Sequence, residues 1–284
     1  MRGPAHLFDI DPRGVKALCV ARFRGIQTPE MERKDPFLAA QGMFSAGNLP
    51  GGVHLPIQRQ WGKMGAMFRI KICGITNRED ALVVAQSGAD ALGLNFFPAS
   101  PRYIPPRTAQ DIVETLPTGM VKVGLFVGAP AADVCRWFDE LHLDLIQIHG
   151  DEPPEYLPQL GDRPVMRAFR VGPGGARTVL GYLERCRDLA ALPRCVLLDA
   201  LVAGKYGGTG KLADWNIAKE YLAGDNMPPL VLAGGLTPQN VAEAIRTVRP
   251  AAVDVAGGVE SSPGHKDPIA VASFAQAART QWSP

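Results

Sequence analysis

From about Met67 onward the apolar and polar positions repeat. A short aliphatic run ends in Gly, Asp or another polar residue, and a helix-like stretch follows. Eight such runs predict strands: Arg69–Cys73, Ala91–Phe96, Val121–Val127, Leu145–His149, Val165–Phe169, Cys195–Asp199, Leu230–Ala233 and Ala252–Val255. Runs such as CVLLDA and PLVLAGG are continuously apolar rather than alternating, which is the pattern of parallel strands covered by helices. Eight βα units in one chain favour an α/β fold of the closed (β/α)8, or TIM-barrel, type over an open doubly wound sheet.

Helix starts are marked unevenly. Thr76 with Glu79 reads as a capping box, and Thr237-Pro238 and Asp267-Pro268 read as N-caps followed by proline at the first helical position. After the fourth, fifth and sixth strands the signal is broken by Pro153, Pro154, Pro158 and the Gly-rich stretch Val171–Ala176. Residues 1–66 keep no period for long, interrupted by Pro29, Pro36, Pro50, Gly51 and Gly52. They read as a poorly ordered extension, or as an overextended start with Met64 or Met67 the true beginning, with a docking arm as the alternative; 67–284 is the barrel domain.

Composition narrows the function. With 284 residues, 46% of them hydrophobic, the chain can bury a sizeable core. A formal net charge of +2 without a basic stripe argues against a nucleic-acid partner. The five cysteines show no paired spacing, which argues against a disulfide framework and a zinc site and points to a reducing compartment. No apolar run approaches the roughly 20 residues of a membrane span, and Arg13 and Lys16 interrupt any signal region, so a soluble, cytoplasmic protein is expected.

Barrel enzymes build their sites at the C-terminal ends of the strands, which singles out Cys73, Asn95, Gln147, His149, Arg167, Asp199 and Asp254. Three Gly-rich segments follow the last three strands: GGTG with Gly208 and Gly210, AGG with Gly234 and Gly235, and AGG with Gly257 and Gly258. Glycine lets backbone N–H groups approach an anion, so these loops predict a phosphate site; tight turns for local reasons are the alternative. Cys73 precedes a capped helix whose N-terminus would favour a thiolate, making it a candidate base, although a small buried hydrophobe is the commoner role. Asp199 can act as an acid if burial or nearby negative charge keeps it protonated. Gln147 and His149 read as a satisfied pair in the barrel interior, and His142 and His265 as surface residues.

The segments KICGIT, FFPASPRYI, LIQIHGDE, LLDA, GGTGK, LAGGLTPQNV and GVESSPGHKD occur in an order and spacing that resembles the phosphoribosylanthranilate isomerase family, from about Phe68 to the end. The resemblance implies a cofactor-free Amadori rearrangement in tryptophan biosynthesis, acting on a small phosphorylated substrate in a monomer or homodimer. It implies that Asp199 is the acid on the furanose oxygen, Cys73 the base at C2, Arg102 the clamp on the anthranilate carboxylate and Asp254 the residue beside the ribose hydroxyls. Ala256 and Gly257 stand where many members carry serines, which implies weaker or rearranged phosphate binding. A related aminoaldose isomerase of histidine biosynthesis is the first alternative, although its members carry an aspartate where Cys73 ends the first strand. A non-catalytic barrel used for binding is the second.

Overall fold

The computed structural model describes residues 67–170, 175–199 and 215–282. The segment 1–66 and the loop with Gly208 and Gly210 lie outside the described residues. Strands β1 (Ile70–Cys73), β2 (Ala91–Asn95), β3 (Val121–Phe126), β4 (Leu145–Ile148), β5 (Val165–Arg170), β6 (Cys195–Asp199), β7 (Leu230–Ala233) and β8 (Ala252–Val255) pair in sequence order and close into a parallel barrel. Every boundary falls within one residue of the sequence expectation.

Helices Arg78–Gln86, Pro106–Val113, Ala131–Glu140, Gly175–Asp188, Trp215–Leu222, Val241–Val248 and Pro268–Arg279 follow all strands but β4. After β4 the chain forms a 3-10 helix, Pro154–Leu160, because Pro158 inside it has no N–H for an α-helical bond. Asp267 caps the last helix as its sequence predicts, accepting from the Ile269 and Ala270 amides at 2.8 and 3.1 Å. Two other starts differ from expectation. Asn77, not Thr76, caps the first helix by accepting from the Asp80 amide, while Thr76 Oγ1 donates to the Gly264 carbonyl. Thr237-Pro238 opens a turn, held by the Thr237 amide donating to Asn240 Oδ1, and the helix begins only at Val241.

Strand side chains alternate faces, so each strand feeds two layers. One parity, including Ile70, Ile72, Leu92, Leu94, Ile146 and Leu198, packs under the helices, each buried side chain contributing about 1.5–3 kcal/mol. The other parity fills the barrel with Ala91, Val123, Leu145, Met166, Ala168, Leu197 and Val231. Continued toward the C-terminal ends, the inward parity carries Lys71, Cys73, Gln147, Arg170, Asp199 and Asp254, so an apolar plug is topped by a polar ring.

Candidate active site

At the end of β1, Cys73 is 6% exposed. Lys71, two residues earlier on the same inward face, is fully buried, and its Nζ lies 2.9 Å from Asp254 Oδ1. Register explains the pair, since Lys71 sits directly opposite Asp254 between β1 and β8. Opposite Cys73 on β2 is Gly93, and a Cβ there would come within 2.7 Å of Cys73 Sγ and 3.1 Å of Lys71 Nζ. Only a glycine leaves room for thiol and ammonium together. The predicted help from the following helix is not found. That helix starts at Arg78, and the Gly74 and Ile75 amides both donate to the Gly93 carbonyl at 3.0 Å. Burial pushes the Cys73 thiol up, and the Lys71 charge only partly opposes it.

Arg102 is brought over this end of the barrel by the loop after β2. Asn95 shapes that loop, donating to Ser100 Oγ and accepting from the Phe97 amide, and Ser100 Oγ accepts from the Arg102 amide. The Arg102 stem crosses Gly74, where a Cβ would meet Arg102 Cδ at 2.3 Å. Arg102 is no solvated loop charge: its Nε and Nη2 grip Glu260 at 2.7 and 2.6 Å. Glu260 also accepts from Lys266 Nζ at 2.8 Å, and that ammonium, with a fully buried side chain, donates to the Ala256 carbonyl as well. Both residues lie on a short hairpin, β9 (Glu260–Ser262) and β10 (His265–Lys266). The two ion pairs fix the outer edge of the site and leave Nη1 of Arg102 outside the Glu260 grip.

Across the ring, Asp199 ends β6 and His149 follows β4, with His149 Nε2 3.9 Å from Asp199 Oδ2. Gln147 Nε2, which can only donate, lies 3.2 Å from His149 Nδ1, so the ring proton sits on Nε2 and faces Asp199. The pair is therefore not a self-contained interior pair: among the described residues, buried Gln147 Oε1 and His149 Nε2 find no hydrogen-bond partner. Burial and the charges of Arg170, Lys71 and Arg167 hold the His149 pKa down to about 3. Since an unfolded histidine titrates near about 6.5, the unfolded chain carries one more proton between these values. Acidification through that window thus removes on the order of 1 kcal/mol of stability per pH unit through this residue, and nothing above it. His149→Asn is expected to flatten the fall in urea-derived stability between pH 7 and 5; an unchanged slope would refute this.

Arg167, a strand-end candidate by sequence, belongs elsewhere. It lies on the outward face of β5, donates to the carbonyls of Ile148, Ala168, Gly150 and Glu152, and covers the Phe169 and Tyr182 rings. His142 and His265 are exposed, as expected.

The loops after β7 and β8 meet at glycines. Gly234 and Gly235 have φ of +91° and +65°, a backbone that other residues rarely adopt. A Cβ on Gly258 would lie 1.9 Å from the Leu236 carbonyl oxygen, so this glycine lets the two loops close on each other. Among the described residues, the N–H groups of Gly234, Gly235, Gly257 and Gly258 find no acceptor.

A ring with a buried thiol, a carboxyl on another strand and glycine loops beside them can be compared with known proteins. Residues 70–277 match the profile of the family described as N-(5'-phosphoribosyl)anthranilate (PRA) isomerase. The chain belongs to this family. It is similar to the N-(5'-phosphoribosyl)anthranilate isomerase of Geobacter sulfurreducens, 47% identical over 213 residues, covering 75% of this chain and 99% of the relative. Among solved structures it is similar to the phosphoribosyl anthranilate isomerase of Thermotoga maritima, with a TM-score of 0.65, 40% identity, and 75% and 99% of the two chains covered. Another is a phosphoribosyl anthranilate isomerase in complex with reduced 1-(o-carboxyphenylamino)-1-deoxyribulose 5-phosphate, with a TM-score of 0.62, 38% identity and the same coverage. Within the family's barrel, sequence reasoning missed Lys71, Glu260 and Lys266. The alternation that points Cys73 inward does the same for Lys71 and was available in KIC; Glu260 and Lys266 stand in the GVESSPGHKD segment, which marks the family but not the partners they find.

Proposed function

We propose that this chain converts N-(5-phosphoribosyl)anthranilate to 1-(2-carboxyphenylamino)-1-deoxyribulose 5-phosphate in tryptophan biosynthesis, with Asp199 as acid and Cys73 as base. The observation that carries the reading is the polar ring itself, in which a buried thiol and a carboxyl lie on the inward parity at the C-terminal ends of β1 and β6, three strands apart around the closed barrel. The reaction needs a proton at the furanose oxygen to open the ring, then loss of the C2 hydrogen from the resulting iminium. The C–H electrons form the C1–C2 double bond while the C=N electrons pass to nitrogen, and the enolamine becomes the ketone by gaining a proton at C1 and losing one from the C2 hydroxyl, so C2 is oxidised and C1 reduced within one molecule and no external oxidant enters. An acid and a base on separate walls serve these two transfers.

Around them, Arg102 presents the rest of its fork to the anthranilate carboxylate. Asp254 accepts from the ribose hydroxyls. The amides of Gly234, Gly235, Gly257 and Gly258 receive the phosphate, and the same role is proposed from the sequence alone for Gly208 and Gly210, outside the described residues; backbone donors serve without the serine hydroxyls missing at Ala256 and Gly257. The ligand is thus a small phosphorylated molecule carrying a second anion. Cys73, Cys135, Cys186 and Cys195 are free thiols, which supports a reducing, cytoplasmic setting.

Titration calorimetry with the reduced product analogue tests the binding half of this reading. Arg102→Met is expected to weaken the analogue by about 10- to 100-fold, the range of a lost charged hydrogen bond, while ribulose 5-phosphate, which has no carboxylate, binds as before. Equal weakening of both ligands would remove Arg102 from the carboxylate.

A further inference from the structure

The reading of Cys73 as base leaves a difficulty. A thiol buried at the barrel mouth is a poor base unless something favours its anion, and the helix dipole is too far along the chain. The charged groups facing Cys73 are Lys71 from its own strand, Asp254 from β8, Arg102 from the loop after β2 and Lys266 from the β9–β10 hairpin, with Glu260 paired to the last two. These are three cations and two carboxylates. Arg102 and Lys266 share Glu260, and Lys71 is confined with the sulfur beside the space that Gly93 leaves open.

We propose that Lys71 is the positioning residue of the base: its buried ammonium, held between Asp254 and Cys73, supplies the countercharge for the thiolate, and Asp254 sets how much of that charge the sulfur receives. The geometry fits this division. Lys71 Nζ is fixed by the 2.9 Å bond to Asp254 and borders, with Cys73 Sγ, the space that a Cβ on Gly93 would fill. Its charge is held up against the burial that would otherwise neutralise it, with Asp254 the leading cause. With the thiol protonated, the five groups leave one positive charge uncompensated; the thiolate balances it. Asp254 works in the opposite sense, repelling the thiolate. Ribose hydroxyls donating to Asp254 would draw its charge away from Lys71 and toward the substrate. More of the ammonium then serves the sulfur, so the base strengthens when substrate is seated. After proton transfer from C2 the sulfur is neutral, and Lys71 returns to Asp254.

The test follows alkylation of Cys73 by iodoacetamide against pH in the full chain, resolved from the other cysteines by peptide mass spectrometry. Lys71→Met is expected to slow Cys73 alkylation at pH 7 by about tenfold or more, one pH unit in the thiol profile, and Asp254→Asn to speed it by a similar factor. The low-pH limb of kcat/KM moves in the same directions. Lys71→Met leaves Asp254 buried without its cation and can fail to fold, so Lys71→Met/Asp254→Asn is compared with Asp254→Asn alone. The double variant should again react about tenfold more slowly. Equal rates in that pair, or a Lys71→Met profile that coincides with wild type, would overturn the proposal. Because it rests on Cys73 being the base, Cys73→Ala kinetics are measured beside it: full activity there would reject the base itself, whereas unchanged alkylation with an inactive Cys73→Ala would reject only the role of Lys71.

Discussion

Cys73→Ala is expected to lower kcat and kcat/KM together by about 10²- to 10⁴-fold, the range a positioned general base supplies. Both constants fall because the sulfur accepts the C2 proton only as the transition state forms; its contribution to holding the ground state is small. Stability should change little. The side chain loses one atom beside Gly93, where the space left is already shared with Lys71 Nζ, so the fold cost is that of a single buried group, about 1 kcal/mol. Steady-state kinetics with a melting-temperature control check this. Near-normal turnover by a folded Cys73→Ala would remove the thiol from the chemistry.

Asp199→Asn should show a loss in the same range, for a different step. The amide keeps the shape of the carboxyl at the end of β6 but has no proton to give to the furanose oxygen. His149 Nε2 lies 3.9 Å from Asp199 Oδ2. The tautomer is fixed by Gln147, and the ring stays neutral across the whole physiological range. The two variants are separable by isotope. With substrate deuterated at C2, wild type and Cys73→Ala should show a primary effect wherever C–H cleavage limits the rate, while Asp199→Asn, slowed at ring opening, should show a smaller one. An Asp199→Asn enzyme with undiminished kcat would place the acid elsewhere.

Much of this architecture was legible in the chain. Parallel strands in a helix-covered barrel are continuously apolar, so each run could be recognised by itself, and all eight lie where their residues predict. Helix starts were less secure because they depend on one or two hydrogen bonds. Asp267-Pro268 caps as written, but Thr76 is drawn away to the Gly264 carbonyl, 188 residues on, and Asn77 takes its place. No local pattern holds that information. The same limit separates the parts of the site. Cys73, Asp199 and Asp254 are marked by their positions at strand ends; Arg102 is marked only by the family motif around it. Lys71 owes its importance to a partner 183 residues away, and Glu260 to one 158 residues away. Arg167 failed for a simpler reason: it lies inside β5, three residues before its end, and on the outward parity, so its charge satisfies backbone carbonyls under the helices.

The central claim is that this chain isomerises N-(5-phosphoribosyl)anthranilate through Cys73 and Asp199. The most direct test is to follow the fluorescence of freshly generated substrate with the full wild-type chain and with the Cys73→Ala and Asp199→Asn variants, identifying the product by chromatography. Rapid loss of substrate with appearance of the ribulose phosphate in wild type alone is expected. A wild-type chain that is folded and leaves the substrate signal unchanged, or variants that match it, would contradict the assignment.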